Sequence, residues 1–271
     1  MNKTTAAALL ASVGLLSGCF RGADGADTGV NANAPGSPKP AKKSGYELSF
    51  GDDFKAGMNY VDDLGISIVI AMDVSGSMAN RPKSGGEVKY LQAADALGTV
   101  TEYLASLAAS MPDIRVNVAI LSFSSGVKTI LPLTVLDKEG LALMRGACEA
   151  ANFEPKGTTA IGKALERGSE ILAQSGTIFN SLIVVTDGEN TNPPKPEDVM
   201  KAIYANNNNK STEDNPVRTS TQLVSVVTFD VYGPEFDRLH DLGARIISAS
   251  DRAELESGLK NLLEADITKL E

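Results

Sequence analysis

Apolar and polar positions alternate along the chain in blocks that predict a sequence of strands and helices. Residues 66–72 are a nearly continuous apolar run, the pattern of a strand buried on both faces of a parallel sheet. From 87 to 111, Leu91, Ala94, Leu97, Leu104, Leu107 and Met111 recur at steps of three and four or their multiples, the mark of an amphipathic helix that Pro112 and Asp113 end. Residues 115–123 and 128–135 are two strands joined by "SSGV", a connection short enough to require an antiparallel hairpin. A helix is expected over 138–151, where Cys148 reads as a small buried residue. Another is expected with Ile161, Ala164, Leu165, Gly168, Ile171 and Leu172 on one face. Residues 181–190 form a second buried strand, followed by a short helix over 196–205 and a polar loop over 206–221. Strands at 222–232 and 244–250 flank a helical "DRLHDLG". Asp251 and Glu254 begin a last helix that buries Leu255, Leu259 and Leu262. This order predicts an α/β fold: a doubly wound, mostly parallel six-stranded sheet with one antiparallel edge strand (128–135), helices on both faces, and 66–72 beside 182–185 at its centre.

The N-terminal quarter reads differently. Lys3 precedes an apolar stretch of about a dozen residues, which suits a signal peptide and is short for a membrane span. Residues 20–45 are rich in Gly, Ala, Asp, Asn and Pro without apolar periodicity, as in a flexible tether. Residues 46–64 hold a short alternation at Tyr46, Leu48 and Phe50 and are expected to pack on the domain as an extension. The expected organisation is therefore 1–18 signal peptide, 19–45 tether, 46–64 extension and 65–271 globular domain.

Composition narrows the function. The 271 residues carry a net charge of −9 and a pI near 4.8, which disfavours a nucleic-acid partner. With no Trp and a single His, base-stacking platforms and histidine acid–base chemistry have few candidates. His240 lies in a helical stretch and reads as a surface or packing residue.

The central strands end in acids. Residues 66–72 run into Asp73, Ser75 and Ser77, with Gly76 allowing a tight turn, and residues 181–186 run into Asp187. In doubly wound sheets, ligands sit beyond the carboxyl ends of the strands. Thr158 and Thr159 precede a helix whose amino end should face the same crevice. Helix capping explains Ser75 or Ser77 singly but not why five oxygen-bearing residues gather at one end of the sheet. A phosphoryl-transfer nucleophile at Asp73 would want a second acid where Ser75 stands. A nucleophile elbow fails because Asp73 and Ser77 occupy its two glycine positions.

"DVSGSM" resembles the D-x-S-x-S motif of von Willebrand factor type A domains. "GTTAIGKAL" is similar to that family's G-G-T-x-I-G-x-A-L segment, with Thr159 at the metal-binding position and Thr158 where a Gly is usual. "VVTDGEN" resembles its T-D-G signature. The resemblance spans roughly residues 65–265 and implies a metal-ion-dependent adhesion site: Asp73, Ser75, Ser77, Thr159 and Asp187 around Mg²⁺, or Mn²⁺ or Ca²⁺, with an open position for an Asp or Glu of a protein partner. Hard oxygen donors, few carboxylates and retained water suit Mg²⁺. "LSGC", residues 16–19, resembles the lipobox of bacterial lipoproteins, which implies cleavage before Cys19 and its acylation, palmitate among the chains. Two or more acyl chains anchor a protein stably. Phe20 is not the Asp associated with inner-membrane retention in many Gram-negative bacteria, so an outer membrane is expected where there is one. The expectation is a non-enzymatic, lipid-anchored envelope protein that binds a protein partner through metal. The alternative is a non-catalytic regulatory or assembly subunit of an envelope enzyme or transport complex.

Overall fold

The structure, a computed structural model, describes residues 63–207 and 221–267. The residues read as signal peptide, tether and most of the extension, with Cys19, lie outside the described residues, as do residues 208–220.

Six strands form one sheet: β1 (Asp63–Asp73), β2 (Arg115–Phe123), β3 (Val127–Val135), β4 (Thr177–Thr186), β5 (Thr221–Phe229) and β6 (Arg245–Ala249), in the order β3-β2-β1-β4-β5-β6. All neighbours are parallel except β2 and β3, so β3 is an antiparallel edge. β1 and β4 are adjacent at the centre, as the two most apolar runs predict. Among the described residues there are six α-helices: α1 (Lys89–Ser110), α2 (Lys138–Ala147), α3 (Ile161–Ala173), α4 (Pro196–Asn207), α5 (Pro234–Asp241) and α6 (Arg252–Ile267).

Period-two alternation along β1 divides the core. Ile66, Ile68, Ile70 and Met72 face a cluster with Leu97, Val100 and Leu104 of α1, Met144 of α2, and Leu255 and Leu259 of α6. Val69 and Ala71 face the other cluster, with Ile161 and Leu165 of α3, Val199 and Ile203 of α4, and Leu239 of α5. Helices therefore cover both faces, and β1 is buried from Gly65 to Asp73.

Boundaries moved where polar residues blur the pattern. β1 begins at Asp63, inside the stretch read as extension. β4 begins at Thr177 because Thr177 and Asn180 are buried in a polar network with Ser67 and Asn117 at the amino end of the sheet. It ends at Thr186, so Asp187 sits in the turn rather than the strand. α2 stops at Ala147, and a 3₁₀ turn over Ala150–Phe153 replaces its expected last turn. Cys148 is buried, against the Thr101 hydroxyl at 3.2 Å. His240 is exposed on α5. Asp251 caps α6 through the Glu254 amide at 2.9 Å, and Glu254 reaches back to the Ser250 amide at 2.8 Å, one residue earlier than an ordinary capping box.

Candidate metal-binding crevice

Strand register decides what meets at the carboxyl end of the sheet. Met72 pairs with Val185 across β1 and β4, so the next residues, Asp73 and Thr186, stand side by side. The Thr186 hydroxyl donates to Asp73 Oδ2 at 2.6 Å. The Ser75 amide donates to Asp73 Oδ1 at 2.7 Å, closing the turn after β1. Both carboxylate oxygens thus have a donor, yet Asp73 is only 1% exposed. Burial pushes its carboxyl up to about 6, against the lowering effect of those hydrogen bonds and with the nearby Asp187 charge adding to the rise.

Ser75 precedes a 3₁₀ turn, Gly76–Ala79, but its hydroxyl does not cap that turn. It lies 3.0 Å from Ser77 Oγ. The Ser77 hydroxyl donates to Asp187 Oδ1 at 2.7 Å, and that of Ser75 reaches the same oxygen at 3.5 Å. Thr159 comes from the loop before α3. Its Oγ1 lies 3.5 Å from where a Cβ on Gly188 would stand, and Ser77 Oγ lies 4.0 Å from that point. Three segments far apart in the chain therefore bring Ser75, Ser77, Thr159 and Asp187 to one place, with Asp73 at its base.

Backbone bonds lace these segments together. Gly76 N donates to Gly157 O at 3.0 Å, Lys156 N to Val74 O at 2.7 Å, and Thr191 N to Thr159 O at 2.8 Å. Glu235 Oε2 accepts from the Asn190 amide at 2.8 Å and steadies the turn that carries Asp187. The expected need for glycine at 76 is not met: its φ is not positive, and an added Cβ would make only ordinary contact at 3.5 Å. Glycine is required at 157, where φ is +79° and a Cβ would come within 2.6 Å of Ser125 Oγ. Thr158 fits beside it, its hydroxyl exposed and bonded to Ser125 Oγ and the Asn192 amide group.

The donor set contains only oxygen, three neutral hydroxyls and two carboxylates, and so fits a hard divalent cation better than a soft one. Among the described residues, no three His, Cys, Asp or Glu side chains gather as a metal cluster. An ion here would depend on the hydroxyls.

Besides Thr186, two neighbours escaped the sequence reading, Lys89 and Asp230. Lys89 Nζ donates to Asp187 Oδ2 at 3.0 Å and lies 3.5 Å from Asp230 Oδ2. Both signals were present in the sequence: a lysine on the stripe of Ala93, Leu97 and Val100, and an acid closing the apolar β5.

The sequence matches the family model of the von Willebrand factor type A domain over residues 68–189, a span that contains all five oxygen-bearing residues. Over these residues the chain is similar to the von Willebrand factor type A family. Solved structures share the fold of this type A domain. They include a von Willebrand factor type A protein from Catenulispora acidiphila (TM-score 0.55, 18% identity, 74% of this chain and 42% of that one). The PilB minor pilin from Streptococcus sanguinis has a TM-score of 0.58 at 16% identity, with 77% and 63% covered. The pilus adhesin SpaC from Lactobacillus rhamnosus GG has 0.53 at 16% identity, with 76% and 31% covered. The chain thus spans less than two thirds of each of these proteins. A search of curated proteins finds no match. No helix among the described residues is long and apolar enough to cross a membrane.

Proposed function

We propose that this chain is a non-catalytic adhesion or assembly component of a bacterial cell envelope that grips a protein partner through a divalent cation. Mg²⁺ is the first candidate, with Mn²⁺ or Ca²⁺ as substitutes. The observation that carries the reading is the convergence of Ser75 Oγ, Ser77 Oγ and Asp187 Oδ1 within 2.7–3.5 Å of one another. Ser75, Ser77 and Thr159 would be direct ligands, and Asp73 and Asp187 would ligate directly or through water. When bound, the cation would supply a Lewis-acidic point for an Asp or Glu of the partner. The chain's own residues orient the site: Thr186 and the Ser75 amide fix Asp73, and Lys89 fixes the far oxygen of Asp187. The names of two solved neighbours, a minor pilin and a pilus adhesin, agree with attachment at a cell surface, although their likeness here is one of fold. Acylated Cys19 would tether the domain to the membrane, the outer one where two exist.

The test is an envelope pull-down with full-length protein, with and without a chelator, beside Asp73→Ala. A partner captured by wild type in Mg²⁺ and lost both with chelator and in Asp73→Ala supports the reading. Capture that survives both would end it. Cys19→Ala should move the protein out of the membrane fraction, and unchanged fractionation would remove the anchor from the proposal.

A further inference from the structure

Lys89 is placed against ordinary preference. It is the first residue of α1, at the positive end of the helix dipole. It also lies on the stripe that continues through Ala93, Leu97, Val100 and Leu104, all fully buried. Its side chain is 8% exposed. An ammonium withdrawn from water at a helix amino end persists only with close anionic partners.

Two carboxylates supply that pairing, from two different strands. Asp187 Oδ2, after β4, lies 3.0 Å from Nζ, and Asp230 Oδ2, after β5, lies 3.5 Å from it. Asp230 has φ of 55° and is the one non-glycine with positive φ among the described residues. Its Oδ2 also accepts from the Lys83 amide at 3.1 Å. A backbone held in a sparsely populated region, with its side chain directed at a buried ammonium, marks a position fixed by its surroundings. Asp187 meanwhile faces two ways: Oδ2 meets Lys89, and Oδ1 meets the Ser75 and Ser77 hydroxyls.

We propose that Lys89 is a resident counter-cation of the crevice. It balances Asp187 and Asp230 when no divalent ion is present, and its charge opposes such an ion's entry. The second half rests on the metal reading above; the first stands on the contacts alone. Without Lys89, the carboxylates of Asp187 and Asp230, each within 3.5 Å of Nζ, would face the same spot with no buried cation between them, and the metal-free crevice would be strained by repulsion. With it, an ion settling against the hydroxyls meets a positive charge on the other oxygen of the same carboxylate. For a double and a single charge about 6 Å apart in a water-like dielectric, the repulsion weakens binding on the order of tenfold. Lys89 thereby trades metal affinity for a crevice already ordered before metal arrives.

The experiment replaces Lys89 with methionine, which has similar bulk and no charge, and titrates Mn²⁺ by calorimetry alongside thermal melting in EDTA. Lys89→Met should bind Mn²⁺ about tenfold tighter than wild type and should melt lower in EDTA. Adding Asp230→Asn to Lys89→Met should restore part of that melting temperature. Mn²⁺ affinity that is unchanged or weaker would overturn the opposition to metal, because a residue that merely braces Asp187 would weaken binding when lost. If neither protein takes up Mn²⁺, the metal reading itself fails and the EDTA arm decides alone: unchanged melting overturns the counter-cation, and a drop reversed by Asp230→Asn sustains it. Lys89→Gln, which keeps an N–H for Asp187 without the charge, carries the same comparison if Lys89→Met does not fold.

Discussion

Asp73→Asn should make the metal-free domain more stable, and only above acidic pH. The Asp73 carboxyl is raised from 3.8 to about 6, chiefly because burial disfavours its charge. Below about pH 4 it is protonated in folded and unfolded chains alike, and nothing is lost. As pH rises toward 6, the unfolded carboxyl ionises while the folded one keeps its proton, and stability falls. Above about 6 both are ionised and the full penalty applies, about 3 kcal/mol for a shift of this size. Asparagine removes the charge and keeps the contacts. Its oxygen can accept from the Ser75 amide, and its amide can donate to Thr186 Oγ1, whose own proton turns to Gly188 O at 3.0 Å. After a modest loss in hydrogen-bond quality, a net gain of about 2 kcal/mol remains, or roughly 4–8 °C in melting temperature for a domain of this size. Differential scanning fluorimetry in EDTA between pH 4 and 8 would measure it. The gain should be full at pH 8 and vanish near pH 4. Equal melting at pH 8, or a gain that does not change with pH, would refute the reasoning. In Mg²⁺ the order should narrow or reverse, since wild type alone would gain from the ion.

Gly162→Ala should destabilise the fold by about 1–3 kcal/mol in urea unfolding, because its Cβ would stand 2.1 Å from Pro194 O and push α3 away from the segment that leads into α4. Cys148 should resist thiol reagents in the native protein and react on unfolding: burial raises its pKa, and the side chain is closed off beside Thr101.

Much of this architecture was legible because its central strands are buried on both faces, which leaves nearly continuous apolar runs at 66–72 and 182–185. The hairpin was legible from the shortness of its connection. The edges of elements were less so. Thr177 and Asn180 look like loop residues until Thr177 is seen to bond Ser67 across the sheet and Asn180 to bond Thr177 in turn. In the crevice, the five oxygen-bearing residues could be singled out from motif and strand ends, since each lies beside a strong local signal. Thr186 could not. Its role depends on the register that sets it beside Asp73, and register is a property of two strands together. Lys89 and Asp230 were hidden for a similar reason: a lysine on an apolar stripe reads as a defect until its counter-charges arrive from strands nearly a hundred or more residues later.

The position of β1 also governs how the domain meets force. A pull applied at the crevice and resisted at residue 63 runs along the axis of this one strand. β1 is bonded to β2 from Gly65 to Asp73 and to β4 through Met72. Such a load shears both ladders at once instead of opening them bond by bond, whereas the same pull on the edge strand β6, paired on one side only, could peel it away. A ligand held at the tip of this strand would thus load two ladders in shear rather than one in peeling.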